Sequence, residues 1–442
     1  MNATRLLAGF TLALLACLEG VGSTGAWAQS RRSFEPPLEP PVETPLESRP
    51  LGLELTQVLG YDSNLLRLGA DVPRPATLTE RGSAVSRTRG LVFYDQSWSL
   101  QHVRLSASAE AIRYTAFSVF DHQALQADGR WDWALGRLWF GTLEAGAQQF
   151  LSPFTDVRPF NDAQLIVNRI DRRNQRLTAG LRWAPDWSLL VGVDRLERNN
   201  SDPARSSTDL IEQGHEAALR WVPVPDLETE LRWRQVDGRY ANRAVFTVFG
   251  ELIPGVVADN GYGQDELSLR VVLDRAGPSR LEAVLGQTQR HFANLTARDF
   301  SAPVVRFRYT WQPTVKLGFP ISISREFYSV EQLTATFADV RRLALAANWE
   351  ETAKRRWSLL FDRQWRTFRG DTSAALGLGA LASGAGEEVR SDSTNLAGLR
   401  LSQELSRLWY VDADLRSERR SSSLASFSYQ SRQFFLGLRF VH

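Results

Sequence analysis

The last nine residues of the chain, FFLGLRFVH (434–442), have the two-residue period of a strand with one apolar face. Gly437 and Arg439 lie between apolar side chains at every second position: Phe434, Leu436, Leu438 and Phe440. Successive side chains of a strand point to opposite faces, so this spacing predicts a β-strand that is apolar on one side. Because a terminal apolar strand with a free edge would promote aggregation, we expect another strand to pair with it.

The same period recurs from residue 51 to the C-terminus. VRLSASAEA (103–111) and LETELRW (227–233) alternate apolar residues with polar or charged ones throughout. Counting all such segments predicts about eighteen strands, an even number that puts both chain ends on one side of a barrel. The segments lie near 51–59, 91–100, 103–111, 125–133, 138–149, 176–183, 189–195, 215–221, 227–233, 267–273, 281–287, 305–311, 317–326, 342–349, 357–364, 397–402, 409–416 and 434–442.

Connection lengths support a barrel independently of the strand count. Long stretches rich in Gly, Asn and Ser occur near 62–87, 237–262 and 367–393. Short turns alternate with them at Ala134–Gly136, Ala184–Asp186, Val222–Pro225 and Gln312–Thr314. Outer-membrane barrels have short periplasmic turns and long extracellular loops. Residues 51–442 are therefore predicted to form an all-β, transmembrane, antiparallel up-and-down β-barrel, in which the terminal strand pairs with the strand near 51–59.

Tryptophan is concentrated near the predicted short turns. Indole rings favour the membrane interface, so this bias predicts a ring of tryptophans at the periplasmic rim. The residues concerned are Trp98, Trp131, Trp133, Trp139, Trp183, Trp187, Trp221, Trp311, Trp349, Trp357 and Trp409.

The N-terminus has the features of a secretory signal peptide over residues 1–28. Arg5 precedes the apolar segment Leu6–Leu18, and Ala26-Trp27-Ala28 forms a small-residue cleavage site. Cys17, the only cysteine, leaves lipoprotein processing as an alternative. Residues 29–50 are predicted to be a proline-rich periplasmic leader containing PPLEPPVETPLE (36–47), either a tether for a partner or a disordered segment.

The inward face of the predicted barrel is rich in charged residues. Candidate residues of a substrate path are Arg104, Arg130, Arg182, Arg220, Arg232, Arg234, Arg270, Arg306, Arg308, Arg400 and Arg439. They alternate with acidic residues that we expect on the same face: Glu110, Asp128, Asp132, Glu144, Asp194, Glu228, Glu230, Glu326, Asp362, Asp412 and Asp414. Cross-strand ion pairs that hold a wide barrel open are the simplest interpretation. Arginine could also guide an acidic or neutral sugar chain.

Composition argues against several other functions. The formal net charge is +2 without a long block of either sign, which makes nucleic acid an unfavourable partner. The five histidines have no metal-ligand spacing, so we expect neither a metal site nor another cofactor. We expect no catalytic residues and no enzymatic activity, although spacing alone leaves a hydrolase site at His215 or His291 open.

Two short stretches carry a resemblance to known proteins. GYDSNLLRL (60–68) follows the first predicted strand and resembles the barrel start of the EpsL-type outer-membrane proteins, which belong to operons for exosortase-associated extracellular polysaccharides, with Tyr61, Asp62 and Asn64 as the shared residues. FFLGLRFVH resembles the C-terminal signal recognised by the barrel assembly machinery. Gly437 and Phe440 fit this signal, and His442 replaces its usual terminal aromatic residue.

The resemblance implies a channel in the outer membrane of a Gram-negative bacterium that exports extracellular polysaccharide to the cell surface. It implies the polysaccharide itself, outer-membrane lipid, and periplasmic and inner-membrane components for polysaccharide synthesis and export as partners. The chain has no GxxxxGK[ST] phosphate-binding loop, so energy for export would come from those partners. A general or solute-specific diffusion porin is the alternative, and a barrel enzyme acting on lipid or glycan is a third.

Overall fold

The structure is a computed structural model that describes most of the chain beyond residue 49. The described residues are 50–69, 80–155, 160–161, 164–240, 244–246, 252–257, 261–274, 278–293, 299–329, 335–370 and 387–442. The predicted signal peptide, Cys17 and nearly all of the proline-rich leader lie outside these residues, as does most of the predicted loop at 367–393.

Eighteen antiparallel strands form a single closed sheet, as the sequence predicted. Each strand pairs with its neighbours along the chain, which is the up-and-down order. The strands are β1 (Leu51–Asp62), β2 (Ser83–Trp98), β3 (Gln101–Tyr114), β4 (His122–Leu135), β5 (Trp139–Leu151), β6 (Arg169–Arg182), β7 (Trp187–Asn200), β8 (Leu210–Val224), β9 (Leu227–Arg239), β10 (Gly261–Asp274), β11 (Ser279–Phe292), β12 (Phe300–Thr314), β13 (Leu317–Ser329), β14 (Ala335–Thr352), β15 (Arg355–Gly370), β16 (Glu387–Ser406), β17 (Trp409–Ser422) and β18 (Tyr429–Val441).

The terminal strand closes the barrel. β18 pairs with β1 from Glu54 opposite Val441 to Asp62 opposite Gln433. The backbone N–H of His442 donates to the Leu53 carbonyl at 2.8 Å, and the Leu53 N–H donates back at 2.9 Å. The free edge expected for an isolated terminal strand is therefore paired, and the predicted partner near residues 51–59 is confirmed.

The connections alternate in length as predicted, but several boundaries differ. Short turns at the end of the barrel that carries both termini include 99–100, 136–138, 183–186, 225–226, 315–316, 353–354 and 407–408. The predicted turns at 134–136, 222–225 and 312–314 were placed too early, and β2 and β16 begin inside the predicted loops. The strands continue past the segments with clear alternation: β4 includes Ala134 and Leu135, and β8 includes Val222 to Val224, where apolar residues follow one another and no longer mark one face.

The outer surface of the barrel has an apolar belt. Exposed leucine, valine, isoleucine and phenylalanine occupy alternate positions on strands around the barrel, whereas the residues between them face inward. A soluble protein rarely exposes so large an apolar patch. In lipid, only helices and closed barrels pair every backbone group. The protein is therefore an integral β-barrel of the Gram-negative outer membrane.

The tryptophans gather at the rim with the short turns. Trp183 stacks on Trp187 at 6.3 Å between ring centroids, and Trp187 stacks on Trp221 at 5.7 Å. Trp409 contacts Phe440 at 5.1 Å across the β17–β18 pair. This arrangement confirms the predicted aromatic girdle and identifies the short-turn rim as the periplasmic one. The described residues contain no helix long and apolar enough to cross a membrane.

Candidate functional site: the lumen

The eleven candidate arginines all lie on the inward face. The strand register shows this, because residues opposite one another on paired strands share a face. Arg130, for example, pairs with Glu144 and lies between the outward-facing Trp131 and Gly129. The eleven predicted acidic residues occupy the same inward face. Their role in a substrate path is a separate matter and stays a prediction.

One ion-pair network crosses β3, β4 and β5. Arg104 contacts Asp132 at 3.3 Å, and Arg130 contacts the same carboxylate at 2.6 Å. A second guanidinium nitrogen of Arg130 reaches Glu144 at 2.5 Å. These side chains are partly exposed to the lumen, so their contribution to stability is small and they serve chiefly to hold a hydrated wall in shape.

A more buried network lies on β6 to β9. Glu230 is only 1% exposed and accepts hydrogen bonds from Arg220 at 2.9 Å and Arg232 at 2.5 Å. Arg234 pairs with Asp194 in the same region. Arg176 and Glu216, which the sequence analysis did not select, form a further buried pair that joins β6 to β8 across β7. Nothing in the alternation distinguishes a buried pair from an exposed one, so these two residues had no separate signal.

Most of the remaining candidate arginines are also paired. Arg270 lies between Glu228 at 2.6 Å and Glu282 at 2.8 Å. Further pairs join Arg306 to Glu326, Arg308 to Glu282, Arg400 to Asp414, and Arg439 to Asp412. Cross-strand ladders therefore account for the position of these arginines. Arg182 differs, because its guanidinium lies over the Phe140 ring at 5.4 Å.

A cavity of about 980 Å³ opens in the periplasmic half of the lumen, along β9 to β16. Basic side chains contribute more of its wall than acidic ones do. They are Arg232, Arg270, Arg280, Arg306, Arg308, Lys316, Arg356 and Arg400, against Glu230, Glu266, Glu282 and Glu350. The excess of positive charge favours anions in this part of the lumen.

Aromatic rings face the lumen near the periplasmic rim. The Phe93 ring covers Gly52 of the neighbouring strand so closely that a Cβ added there would lie 2.0 Å from its Cζ atom. The Phe140 ring covers Gly180 in the same way, at 2.5 Å. Each ring therefore lies flat against the wall over a glycine. Both rings stay partly exposed, as does Tyr410, which has the Arg439 guanidinium 4.7 Å above its ring.

At the opposite, extracellular end, the GYDSNLLRL stretch (60–68) forms a hydrogen-bonded cluster centred on Asp62, Asn64 and Arg67. Asp62 accepts hydrogen bonds from Arg67 at 2.9 Å, from the backbone of Asn64 at 2.9 Å and from Ser431 of β18 at 2.7 Å. The Asn64 amide donates to the Leu68 carbonyl and to the Gln430 carbonyl, at 2.9 and 3.0 Å. The loop is therefore fixed to both strands that close the barrel.

Arg67 lies at the centre of this hydrogen-bonded cluster. It is held at a φ of 55°, a left-handed conformation that non-glycine residues seldom adopt. A second contact, 3.4 Å long, joins its guanidinium to Glu418. Burial alone would lower the pKa of Arg67, but the carboxylates of Asp62 and Glu418 outweigh burial and raise the pKa above its ordinary value. The residue is therefore charged at every physiological pH.

An apolar cluster seals part of the extracellular mouth. Leu66 and Phe120 are 1% and 0% exposed and pack with inward residues of β2 and β3. Phe154 and Val167 from the connection between β5 and β6 join this cluster. The guanidinium of Arg420 on β17 donates to the Thr155 carbonyl at 2.6 Å, which draws that connection across the mouth. On the side formed by β1 to β6, the described loops thus fold inward over the lumen.

The histidines left open by the sequence analysis do not face a common lumen site. His215 occupies an outward position between Val193 and Gln235. His291 also faces outward and contacts Asp299 at 3.0 Å. Both histidines therefore lie on the outer surface of the barrel wall rather than in the lumen.

Comparison with known proteins reveals similarity of structure only. Neither a family model nor a curated protein matches the sequence. The ferric enterobactin receptor PfeA of Pseudomonas aeruginosa aligns over 89% of this chain and 81% of its own, with 10% identity and a TM-score of 0.46. OpdK of Pseudomonas aeruginosa aligns over 89% and 99%, with 10% identity and a TM-score of 0.45. The FrpB iron transporter of Neisseria meningitidis aligns over 84% and 62%, with 8% identity and a TM-score of 0.47.

Proposed function

We propose that the barrel is an outer-membrane channel that exports an extracellular polysaccharide. The observation that carries this proposal is the set of lumen-facing aromatic rings near the periplasmic rim: Phe93, Phe140 and Tyr410. Sugar rings present apolar C–H faces that pack on aromatic rings, while their hydroxyls hydrogen-bond to charged groups nearby. A ring held flat over a glycine offers such a platform without narrowing the lumen.

The positions of these rings suit entry from the periplasm. Arg182 and Arg439 lie over two of the three rings and add hydrogen-bond donors for hydroxyls or carboxylates. The basic cavity lies in the same half of the barrel and would receive the polymer next. An anionic polysaccharide fits this cavity better than a neutral one. Periplasmic and inner-membrane components would supply the polymer and the driving force.

A diffusion porin is the second candidate, and the charged, hydrated wall favours it equally well. The apolar cluster around Leu66 and Phe120 separates the two candidates. An export channel can keep its extracellular mouth constricted between transport events, whereas a general porin conducts continuously. We propose no catalytic role and no cofactor for the lumen.

The test measures export and conductance with the same variants. A deletion strain is complemented with the wild-type chain or with a variant carrying Phe93→Ala, Phe140→Ala and Tyr410→Ala. We expect at least a tenfold loss of surface polysaccharide with the triple variant, because its stacking platforms are gone. Phe361→Ala is the matched control, since Phe361 faces lipid at 39% exposure and should leave export unchanged.

Conductance measurements in planar bilayers then distinguish the export channel from the diffusion porin. The wild-type barrel should show low conductance that oligogalacturonate reduces at lower concentrations than a neutral glucan of equal length. Steady, large ion conductance together with normal surface polysaccharide in the deletion strain would instead establish the porin.

A further inference from the structure

The outward face of the barrel has a group of five arginines near the extracellular ends of β13 to β18. These residues occupy outward positions on β13, β14, β15, β17 and β18, and we call them the outer basic patch: Arg325, Arg341, Arg363, Arg419 and Arg432. They belong neither to the lumen nor to the periplasmic girdle.

The strand register makes the patch continuous. Arg325 lies directly opposite Arg341, and Arg363 lies one step further along the next strand. Asn395 on β16 pairs with both Arg363 and Arg419 and so bridges the two halves of the patch. Neighbouring strands are about 4.8 Å apart, so β13 to β18 span about 24 Å. That width accommodates the headgroup of one or two membrane lipids.

The patch carries a net positive charge that the described residues do not neutralise. Asp339 contacts Arg325 at 2.9 Å and Arg341 at 3.6 Å, so one carboxylate serves two guanidinium groups. The Arg341 side chain is 62% exposed. Among the described residues, none places a carboxylate within ion-pair distance of Arg363, Arg419 or Arg432.

The patch lies immediately above the apolar belt. Arg363 is directly opposite Leu343 and two residues from Phe361, which faces lipid. Arg432 is likewise two residues from the exposed Phe434. Cations bordering an apolar surface match an amphiphile with an anionic headgroup and hydrocarbon chains. Because the extracellular loops lie at this end, the lipid leaflet in contact is the outer one.

On the other side of the barrel, a row of outward residues that pair across neighbouring strands has a different composition from the patch. This row pairs in register across β8 to β12 and contains no arginine, although Arg239 lies closer to the end of β9; its residues are Gln213, Gln235, Asp265, Gln289 and Ser301. Outward arginines also lie near the extracellular ends of β3, β6, β7 and β9, but Arg113 contacts Asp121 at 3.7 Å and Arg195 pairs with Glu197. The outer basic patch differs because three of its five arginines have no carboxylate partner among the described residues, and this unpaired charge points to a binding surface.

We propose that the outer basic patch binds the phosphate groups of lipid A in the outer leaflet of the outer membrane. The guanidinium of Arg363 lies over the Trp365 ring at 4.7 Å, and because no carboxylate among the described residues pairs with Arg363, Arg419 or Arg432, all three can make bidentate contacts with phosphate. The hydroxyl-rich sugar of the lipid lies near Asn395, and its acyl chains cover the leucines and phenylalanines below. This surface acts independently of transport through the lumen.

The experiment uses the full mature chain purified in detergent and refolded, with lipid A as the probe. Binding of bisphosphorylated lipid A and of fully dephosphorylated lipid A is measured by native mass spectrometry. We expect the wild type to bind the bisphosphorylated form at least tenfold more tightly. The variant Arg363→Gln, Arg419→Gln and Arg432→Gln should lose that preference.

The matched control removes three outward arginines elsewhere on the barrel: Arg113→Gln, Arg173→Gln and Arg195→Gln. It should keep the preference for phosphate, because these residues lie outside the patch. Equal loss in both variants would show nonspecific attraction and overturn the proposal, as would a wild type that does not distinguish the two lipids. If the triple variant fails to fold, the single substitution Arg363→Gln, at an exposed position, replaces it and is judged by the same preference.

A protein partner would give a different result. If the patch were an interface between copies of this chain, the wild type would be oligomeric in detergent, the patch variant would be monomeric, and lipid A phosphates would have no effect. That combination also overturns the proposal.

Discussion

Asp62 and Arg67 join the end of the first strand to the first extracellular loop through a contact of 2.9 Å. Both side chains are nearly buried, at 5% and 12% exposure. The pair connects the seam of the barrel to the loop that carries Leu65 and Leu66 into the apolar cluster at the mouth. Closure of the cylinder and constriction of its mouth therefore depend on the same carboxylate.

Replacing Asp62 with Asn should release this loop. The substitution keeps the size of the side chain but removes the charge that holds Arg67, at a cost of about 2 kcal/mol for the charged hydrogen bonds. We expect trypsin to cleave after Arg67 at least tenfold faster in proteoliposomes and the single-channel conductance to rise. Asp95→Asn, which alters a pair at the periplasmic end, should change neither quantity. Unchanged cleavage in Asp62→Asn would show that the apolar cluster alone retains the loop.

Glu230→Gln should destabilise the barrel and change its ion selectivity. Removing this buried charge leaves Arg220 and Arg232 without their closest carboxylate, which costs about 3 kcal/mol for a buried pair. The lumen also gains one net positive charge, so the reversal potential in a salt gradient should shift toward anion selectivity. Glu228→Gln is the control: its carboxylate is 32% exposed and contacts Arg270, so the loss of stability should be smaller for the same change in charge.

Two glycines at the seam should respond differently to alanine. A Cβ on Gly60 would lie 2.1 Å from the Phe435 ring and 2.4 Å from the Phe434 carbonyl, and the carbonyl cannot move aside. A Cβ on Gly437 would find its nearest neighbour at 3.4 Å. We therefore expect Gly60→Ala to refold poorly into detergent micelles and Gly437→Ala to refold like the wild type, measured by the heat-dependent shift on gels.

The Gly437→Ala variant also tests the resemblance to an assembly signal. If Gly437 is read by the assembly machinery, the variant should refold normally in vitro but accumulate less in the outer membrane of cells. Normal accumulation in cells would remove Gly437 from the signal.

The stacked tryptophans should contribute to anchoring at the periplasmic rim. Trp187→Ala loses ring contacts with both Trp183 and Trp221, and aromatic pairs contribute about 1 kcal/mol each beyond burial. Trp139→Ala serves as the control because it removes an exposed indole of the same girdle from outside this stack. Measured by urea unfolding in lipid vesicles, the free energy of unfolding should fall by about 1–2 kcal/mol more in Trp187→Ala than in Trp139→Ala. Equal losses would mean that lipid contact, rather than stacking, determines the contribution.

The architecture could be predicted because each strand carries its own evidence. The alternation in a segment such as 103–111 indicates which face contacts lipid. Because backbone groups in lipid must be paired within the protein, the sheet has to close. The inward placement of the eleven arginines follows from the same two-residue alternation. Strand ends were less predictable, because the strands continue through stretches such as Val222–Val224, where apolar residues are consecutive and the alternation stops.

For the lumen site, the sequence predicted only which residues face inward, not which of them contact one another. The alternation places Arg176 and Arg220 on the lumen wall but does not predict which carboxylate each one contacts. Their partners, Glu216 and Glu230, lie on other strands, 40 and 10 residues away along the chain. The aromatic platforms were missed for a related reason. Phe93 matters because Gly52 lies beneath it, and that relation exists only after β1 and β2 are in register.

The sequence by itself determined the class of the protein, since an alternation repeated from residue 51 to 442 can satisfy its backbone in lipid only as a closed barrel. It also placed the tryptophans at one rim and the charges inside. The tertiary structure alone decided where the mouth narrows, which charges neutralise one another and where the outer basic patch lies. Those features depend on register and strand tilt, which bring together side chains that no local pattern connects.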